Sequence, residues 1–277
     1  MEYDFVPPPY PGRSSNRVVR EGRRSSVTIE SDLEGAVGRA EIVAFFQPQV
    51  DVGTGQVVAV EALARWEHPT RGLLQPCEFI PVAERSGLIG EIGAFMLEEG
   101  CFQAARWHSR GFEVGVSVNV SALQLASASF FDRLRELLVE FVLPDGTLTI
   151  EITESQLISD PETVAARLRV MRDFGLGISL DDFGTGHTSL SQLRDLPITE
   201  LKIDKSLMQE YTSDDAMVAV AVALLQERGV RVVAEGVETA DQVERVRRLH
   251  CDRAQGYLFG RPMPVDDVDT LISHAFA

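Results

Sequence analysis

The chain has 277 residues, with 42 acidic against 26 basic side chains and a formal net charge of -16. A body this acidic is a poor partner for long nucleic acid or an anionic membrane, because each phosphate contact needs Lys or Arg. It leaves room for a small phosphorylated ligand, since bound divalent cations invert the local sign.

Residues 1–38 read as a flexible N-terminal tail. Pro7, Pro8, Pro9 and Pro11 precede a Ser/Arg stretch with too few apolar residues to pack. Arg20, Arg23 and Arg24 could form a small docking patch for a regulatory partner, against the blander reading of a solvated tail. Residues 39–277 read as one domain, because no long linker interrupts them. Cys77, Cys101 and Cys251 are odd in number and far apart, without C-x-x-C or zinc spacing. They are expected to be reduced, mostly buried thiols of a cytoplasmic protein. The longest apolar run, 216–225, is too short to span a bilayer, and no secretory signal opens the chain. No membrane insertion is expected.

Strand-like runs fall at 44–52, 57–66, 114–121, 148–153, 176–182, 200–204, 230–235 and 254–258. Gly53-Thr54-Gly55 between the first two suits a hairpin, so these should be antiparallel. Helical patterns follow the later strands, among them 130–141, 161–174 and 214–228. Asp160 stands as N-cap of the second, with Pro161 at its first position and Gly175 past its end. Helical crossovers between strands imply a parallel sheet. The α/β class is therefore expected, as a (β/α)8 TIM-like barrel with an antiparallel first strand. Strand count alone leaves a doubly wound open sheet as the alternative.

Side chains alternate faces along a strand, so the inward face is readable. Val114, Val116, Val118 and Val120 oppose Gly115, Ser117, Asn119 and Ser121; Leu148, Ile150 and Ile152 oppose Thr149, Glu151 and Thr153. Leu176, Ile178 and Leu180 oppose Ser179 and Asp181. Leu201 and Ile203 oppose Lys202, and Val230, Val232 and Ala234 oppose Glu235. The apolar set must lie under the helices. Asn119, Glu151, Asp181, Lys202 and Glu235 then come late on inward faces and should converge at the C-terminal mouth, where barrel enzymes keep their chemistry. Glu61 and Gln255 can join them.

One polar residue inside a barrel is ordinarily just hydrogen-bonded there. Five carboxylates (Glu61, Glu151, Asp181, Asp182, Glu235) with one amine repel each other unless protons or cations neutralise them. Oxygen ligands without a His or Cys cluster favour Mg²⁺ or Mn²⁺. Asp181-Asp182, followed at once by Gly184-Thr185-Gly186, suits a two-metal site for displacement at phosphorus.

These residues carry a family resemblance. Gln47-Pro48, Glu61-Ala62-Leu63-Ala64-Arg65-Trp66, Asn119-Val120-Ser121 and Glu151-Ile152-Thr153-Glu154-Ser155 occur in order. Asp181-Asp182-Phe183-Gly184-Thr185-Gly186, Leu201-Lys202-Ile203-Asp204, Glu235-Gly236-Val237-Glu238-Thr239 and Gln255-Gly256-Tyr257 follow them. The ordered set resembles the EAL domain, the cyclic di-GMP phosphodiesterase family. The resemblance implies that Glu61, Asn119, Glu151 and Asp181 hold one Mg²⁺ or Mn²⁺. Asp181 would bridge to a second, with Asp182 and Glu235 on its other side. Lys202 would orient the attacking water, Glu235 could also transfer a proton, and Gln255 would complete the hydrogen bonding. Glu154 would hold the loop after the Asp pair, and Glu238 would support the site. Gln47, Leu63 and Arg65 would contact the dinucleotide. The implied reaction opens cyclic di-GMP to linear 5′-pGpG in a homodimer.

The chain departs from the family pattern at three places. His187-Thr188 stands where Tyr-Ser is usual in the loop after the Asp pair, which bears on turnover and dimer coupling. Ala64 replaces Leu, and Leu207 replaces Phe. A receptor that binds cyclic di-GMP without cutting it is the competing reading, although such receptors commonly lack several ligands that this chain keeps. A glycosidase would need only two carboxylates at a set separation, and fits poorly.

Overall fold

The computed structural model describes residues 29–157, 161–184, 196–209 and 215–275. Two long strands rich in aromatic and β-branched residues, β1 (Ile42–Asp51) and β2 (Val57–His68), pair antiparallel from Ile42↔Trp66 to Val50↔Val57. Their turn is fastened by Asp51 Oδ1, which accepts from Thr54 N at 2.7 Å and from Thr54 Oγ1 at 2.9 Å. A short strand the sequence reading passed over, β3 (Gly72–Leu74), extends β2 as an outer ribbon. Three residues carry too little alternation to register as a strand.

Six more strands follow: β4 (Gly115–Asn119), β5 (Leu148–Thr153), β6 (Gly177–Phe183), β7 (Glu200–Ile203), β8 (Arg231–Ala234) and β9 (Arg253–Gln255). Each pairs in parallel with the next, β4 pairs in parallel with β2, and β1 lies antiparallel between β2 and β9. That last pairing closes the ring and removes the open-sheet alternative. The architecture is a closed eight-stranded barrel with a reversed first strand.

Outward residues Val116, Val118, Ile150, Ile152, Ile178, Leu180, Leu201, Ile203 and Val232 are all buried beneath helices. The longest helix, Ile89–Ser109, lays Met96, Leu97, Cys101, Ala104 and Trp107 on this surface. It can approach so closely because Gly100 has no side chain: a Cβ there would stand 2.7 Å from Val118 Cγ2. Helix Pro76–Ser86 starts where Gln75 N donates to Glu78 Oε2 at 2.7 Å, with Pro76 in its first turn, and ends at left-handed Gly87. The expected helices appear as Ala128–Phe141, Pro161–Asp173 and Asp215–Gln226. Asp160 lies outside the described residues. The apolar run 216–225 falls in the last of these helices, and among the described residues no helix is long and apolar enough to cross a membrane.

The expected tail boundary near residue 38 is too late. Residues 29–38 belong to the folded body: helix Ile29–Leu33 buries Leu33, and Ala36 is buried just after it. Polar contacts complete the docking. Asp32 Oδ2 lies 3.1 Å from His68 Nε2, and Trp66 Nε1 donates to Glu41 Oε2 at 3.1 Å. Composition misses this segment because two spaced apolar residues anchor it within a polar stretch. Cys101 and Cys251 are buried and Cys77 is exposed, all three as free thiols. Burial pushes both buried thiols up to about 12.

Candidate active site

The inward faces meet at the mouth formed by the C-terminal ends of the parallel strands. Lys202, on β7, is completely buried, and its Nζ stands 2.7 Å from Glu235 Oε1, 3.0 Å from Glu151 Oε2 and 3.1 Å from Glu61 Oε2. Asp181 Oδ1 is 3.6 Å away. One ammonium is thus ringed by four carboxylates from four strands or strand ends. The register accounts for the convergence: Asn119 sits opposite Glu151, Thr153 opposite Asp181, and Gln47 opposite Glu61.

Amide side chains hold Glu61 in place. Asn119 Nδ2 donates to its Oε1 at 2.7 Å, and Gln255 Nε2 donates to its Oε2 at 2.6 Å. Gln255 Nε2 also donates to Gln47 Oε1 at 3.1 Å, while Gln47 Nε2 donates to the Gly260 carbonyl at 3.1 Å. Gln49, which the sequence reading passed over, is fully buried and donates to Gln255 Oε1 at 3.1 Å. Its parity with Gln47 on β1 was the available signal.

An irregularity near the end of β6 brings Asp181 and Asp182 to one cluster. The strand does not stop between them. β6 continues to Phe183, but its register with β7 shifts between Leu180 and Phe183, and Asp182 takes a left-handed φ of 60°. This local twist cancels the alternation that would send neighbouring side chains to opposite faces. Carboxylate oxygens of Asp181, Asp182 and Glu235 consequently lie within 4.8 Å of one another. A non-glycine residue so placed carries strain of roughly 1–3 kcal/mol, and such strain concentrates at functional sites.

Charge and burial set the protonation. For Glu61, burial pushes upward, but Lys202 and the amides of Gln255 and Asn119 overcome it and hold the carboxyl below its ordinary value. Glu151 is pushed well up by burial and by neighbouring Glu61. Burial also raises Asp181 against the pull of Lys202, and raises Asp182 with the help of Asp204. Glu235 is pushed up to about 8, burial outweighing Lys202. Burial disfavours the Lys202 charge, yet Asp181, Glu151, Glu235 and Glu61 together keep it well above the ordinary lysine value. Five carboxylates share one amine. The donor set is all oxygen and carries excess negative charge, which fits hard divalent cations.

A cavity of about 520 Å³ opens beside this centre. Glu61, Asn119, Glu151 and Asp182 form its polar end, and Leu63, Pro76, Ile80, Ile92 and Met96 its apolar wall. Arg65 lies buried beside it, donating to the Ala64 carbonyl at 2.8 Å with its guanidinium 5.6 Å from the centre of the Phe45 ring. Leu63 lines the cavity; Gln47 and Arg65 are not part of its wall. Glu154 is buried in the 3-10 turn Glu154–Leu157 directly after β5. The loop it was expected to hold, with His187 and Thr188, lies outside the described residues. Leu207 packs against the strand end: a Cβ on Gly184 would meet its Cδ1 at 2.1 Å.

Residues 30–262 match the sequence profile of the EAL domain. The chain belongs to the EAL domain family. Among relatives, the EAL chain is 43% identical over 241 residues to the bifunctional diguanylate cyclase/cyclic di-GMP phosphodiesterase MucR of Pseudomonas aeruginosa. That alignment covers 86% of this chain and 35% of MucR. Cyclic di-GMP phosphodiesterase PA2567 of the same organism is 34% identical over 252 residues, covering 90% of this chain and 43% of the relative. The EAL chain therefore spans less than half the length of each of these two relatives. Its fold superimposes on the PaMucR phosphodiesterase in complex with c-di-GMP with a TM-score of 0.81 at 43% identity. That match covers 86% of this chain and 98% of the other.

Proposed function

We propose that this EAL domain is a metal-dependent phosphodiesterase that hydrolyses cyclic di-GMP to linear 5′-pGpG. The observation that carries the reading is the buried ring of Lys202 with Glu61, Glu151, Asp181 and Glu235, joined to Asp182 by the twisted end of β6. Relatives named as cyclic di-GMP phosphodiesterases support the substrate. Glu61, Asn119, Glu151 and Asp181 would hold one Mg²⁺ or Mn²⁺, and Asp181, Asp182 and Glu235 the other. The ions would supply Lewis-acid polarisation of the phosphate and raise the acidity of an attacking water.

The protein's own groups do the rest. Lys202 Nζ supplies a fixed positive charge for the attacking oxygen or a phosphate oxygen, aimed by the carboxylates around it. Gln255 and Asn119 pin Glu61, so its orientation is set before substrate arrives. Glu235 Oε1, 2.7 Å from Lys202 Nζ, can take the proton that the attacking water releases and pass it to the leaving ribose oxygen. Glu154 steadies the chain after β5, and Leu63, Gln47 and Arg65 meet the dinucleotide. The same reading includes a homodimer, cytoplasmic location and input from a partner through the N-terminal segment. The family resemblance supports the first, and Arg20, Arg23 and Arg24 support the last.

The test is incubation of purified protein with cyclic di-GMP and Mg²⁺ or Mn²⁺, with chromatographic separation of products. Conversion to pGpG that Glu61→Ala abolishes is the expected result. Tight binding without product, with either ion, would instead establish a receptor, and absence of binding would eliminate both readings.

A further inference from the structure

Three buried side chains, starting from Glu151 of the carboxylate ring, form a row across the barrel interior. Glu151 on β5 is directly opposite Ser179 on β6, and Ser179 is directly opposite Glu200 on β7. All three point inward, and each is no more than 1% exposed. Each has one polar atom with no hydrogen-bond partner among the described residues: Glu151 Oε1, Ser179 Oγ and Glu200 Oε1. Their other oxygens are accounted for. Glu151 Oε2 accepts from Lys202, and Glu200 Oε2 accepts from Arg231 at 2.9 Å, with Arg253 at 3.4 Å.

Buried polar atoms are almost always paired, so three orphans on adjacent strands call for one shared partner. Their chemistry specifies it. Two carboxylate oxygens accept, and one hydroxyl can donate. A single water donates twice, accepts once and thereby makes the three hydrogen bonds usual for a buried water. A metal cation is a poorer match at Glu200, whose carboxylate already faces two guanidinium groups.

We propose that Glu151, Ser179 and Glu200 bind one buried water on the barrel axis, through which Ser179 and Glu200 act as positioning residues for Glu151. The inference builds on the proposed function, since it assigns Glu151 its outer support. Partners one shell beyond a metal ligand typically change metal affinity or activity about 10–100-fold when removed.

The experiment pairs a high-resolution crystal structure of the full chain with Mn²⁺ titration calorimetry on Ser179→Ala, Ser179→Thr and Glu200→Gln. An ordered water within hydrogen-bonding reach of all three side chains is expected. Ser179→Ala should weaken Mn²⁺ binding about tenfold and lower kcat while KM for cyclic di-GMP holds. Ser179→Thr, which keeps the hydroxyl, should restore both. Direct pairing of Ser179 Oγ with backbone, a cation at the position, or Ser179→Ala binding Mn²⁺ like the parent would each overturn the proposal. Should Glu200→Gln fail to fold because its two arginines lose their counter-charge, the serine pair still decides. If the parent itself neither binds Mn²⁺ nor cleaves cyclic di-GMP, the functional reading falls, while the crystallographic water is judged separately.

Discussion

Lys202 is the residue on which the site's electrostatics turn. With no exposed surface and four carboxylates within 3.6 Å, it offsets a repulsion that burial magnifies. Lys202→Met should remove turnover and destabilise the metal-free protein by about 3–5 kcal/mol, the usual cost of stripping one partner from a buried pair. Chemical denaturation without metal checks the second part, and Mn²⁺ should recover much of the loss by replacing the missing charge. Glu235 sets a pH dependence. Its carboxyl titrates near 8 in the folded chain against an ordinary 4.5, so between these values the folded state holds a proton that the unfolded state releases. Its contribution to stability is complete below the ordinary value and is lost as pH rises through about 8. The metal-free melting temperature should therefore fall from pH 5 to pH 8.5 as far as this group governs it. Mn²⁺ affinity should rise over the same interval, because the ion displaces that proton.

At the scale of elements, two close fits govern the site. Asp182 pays for its position with left-handed backbone, which glycine adopts without strain. Asp182→Gly should thus raise metal-free stability by about 1 kcal/mol while abolishing hydrolysis, an opposition that melting curves and product assays read separately. The second fit is the seating of helix Ile89–Ser109 on β4. Gly100→Val would drive side-chain atoms into Val118, next to Asn119, at a cost of roughly 1–3 kcal/mol. Denaturant unfolding should show that loss, and weakened Mn²⁺ binding should accompany it if β4 shifts. Strand parity made most of this layer readable in advance, because alternation is a property of the single chain. The helix Ile29–Leu33 and strand β3 were not readable, since the first is held by helix Pro76–Ser86 and His68 and the second by β2, rather than by any pattern of their own.

For the whole molecule, the net charge of -16 divides into two populations. Among the described residues, most carboxylates are on the surface, where they favour solubility. Five converge in one mouth, where under the proposed function cations would offset their repulsion of an approaching phosphate. Mg²⁺ or Mn²⁺ should accordingly raise the melting temperature in a saturable way, as a ligand of the folded state must. Chelation should reverse this and weaken binding of cyclic di-GMP, which calorimetry with and without chelator would measure.

The sequence by itself determined the inward set: Glu61, Asn119, Glu151, Asp181, Lys202, Glu235 and Gln255 could be assigned to one face, because the two-residue repeat of a strand is local. It also determined the hairpin and the crossovers, whose turn and cap residues act on their immediate neighbours. Only the tertiary structure decided that β1 closes the ring between β2 and β9, which requires pairing Gln49 with Gln255 across most of the chain. It alone twisted Asp182 into the cluster, against the strand alternation, and set Lys202 at the centre of four carboxylates. Those outcomes depend on distances between strands remote in sequence, and no local periodicity encodes them.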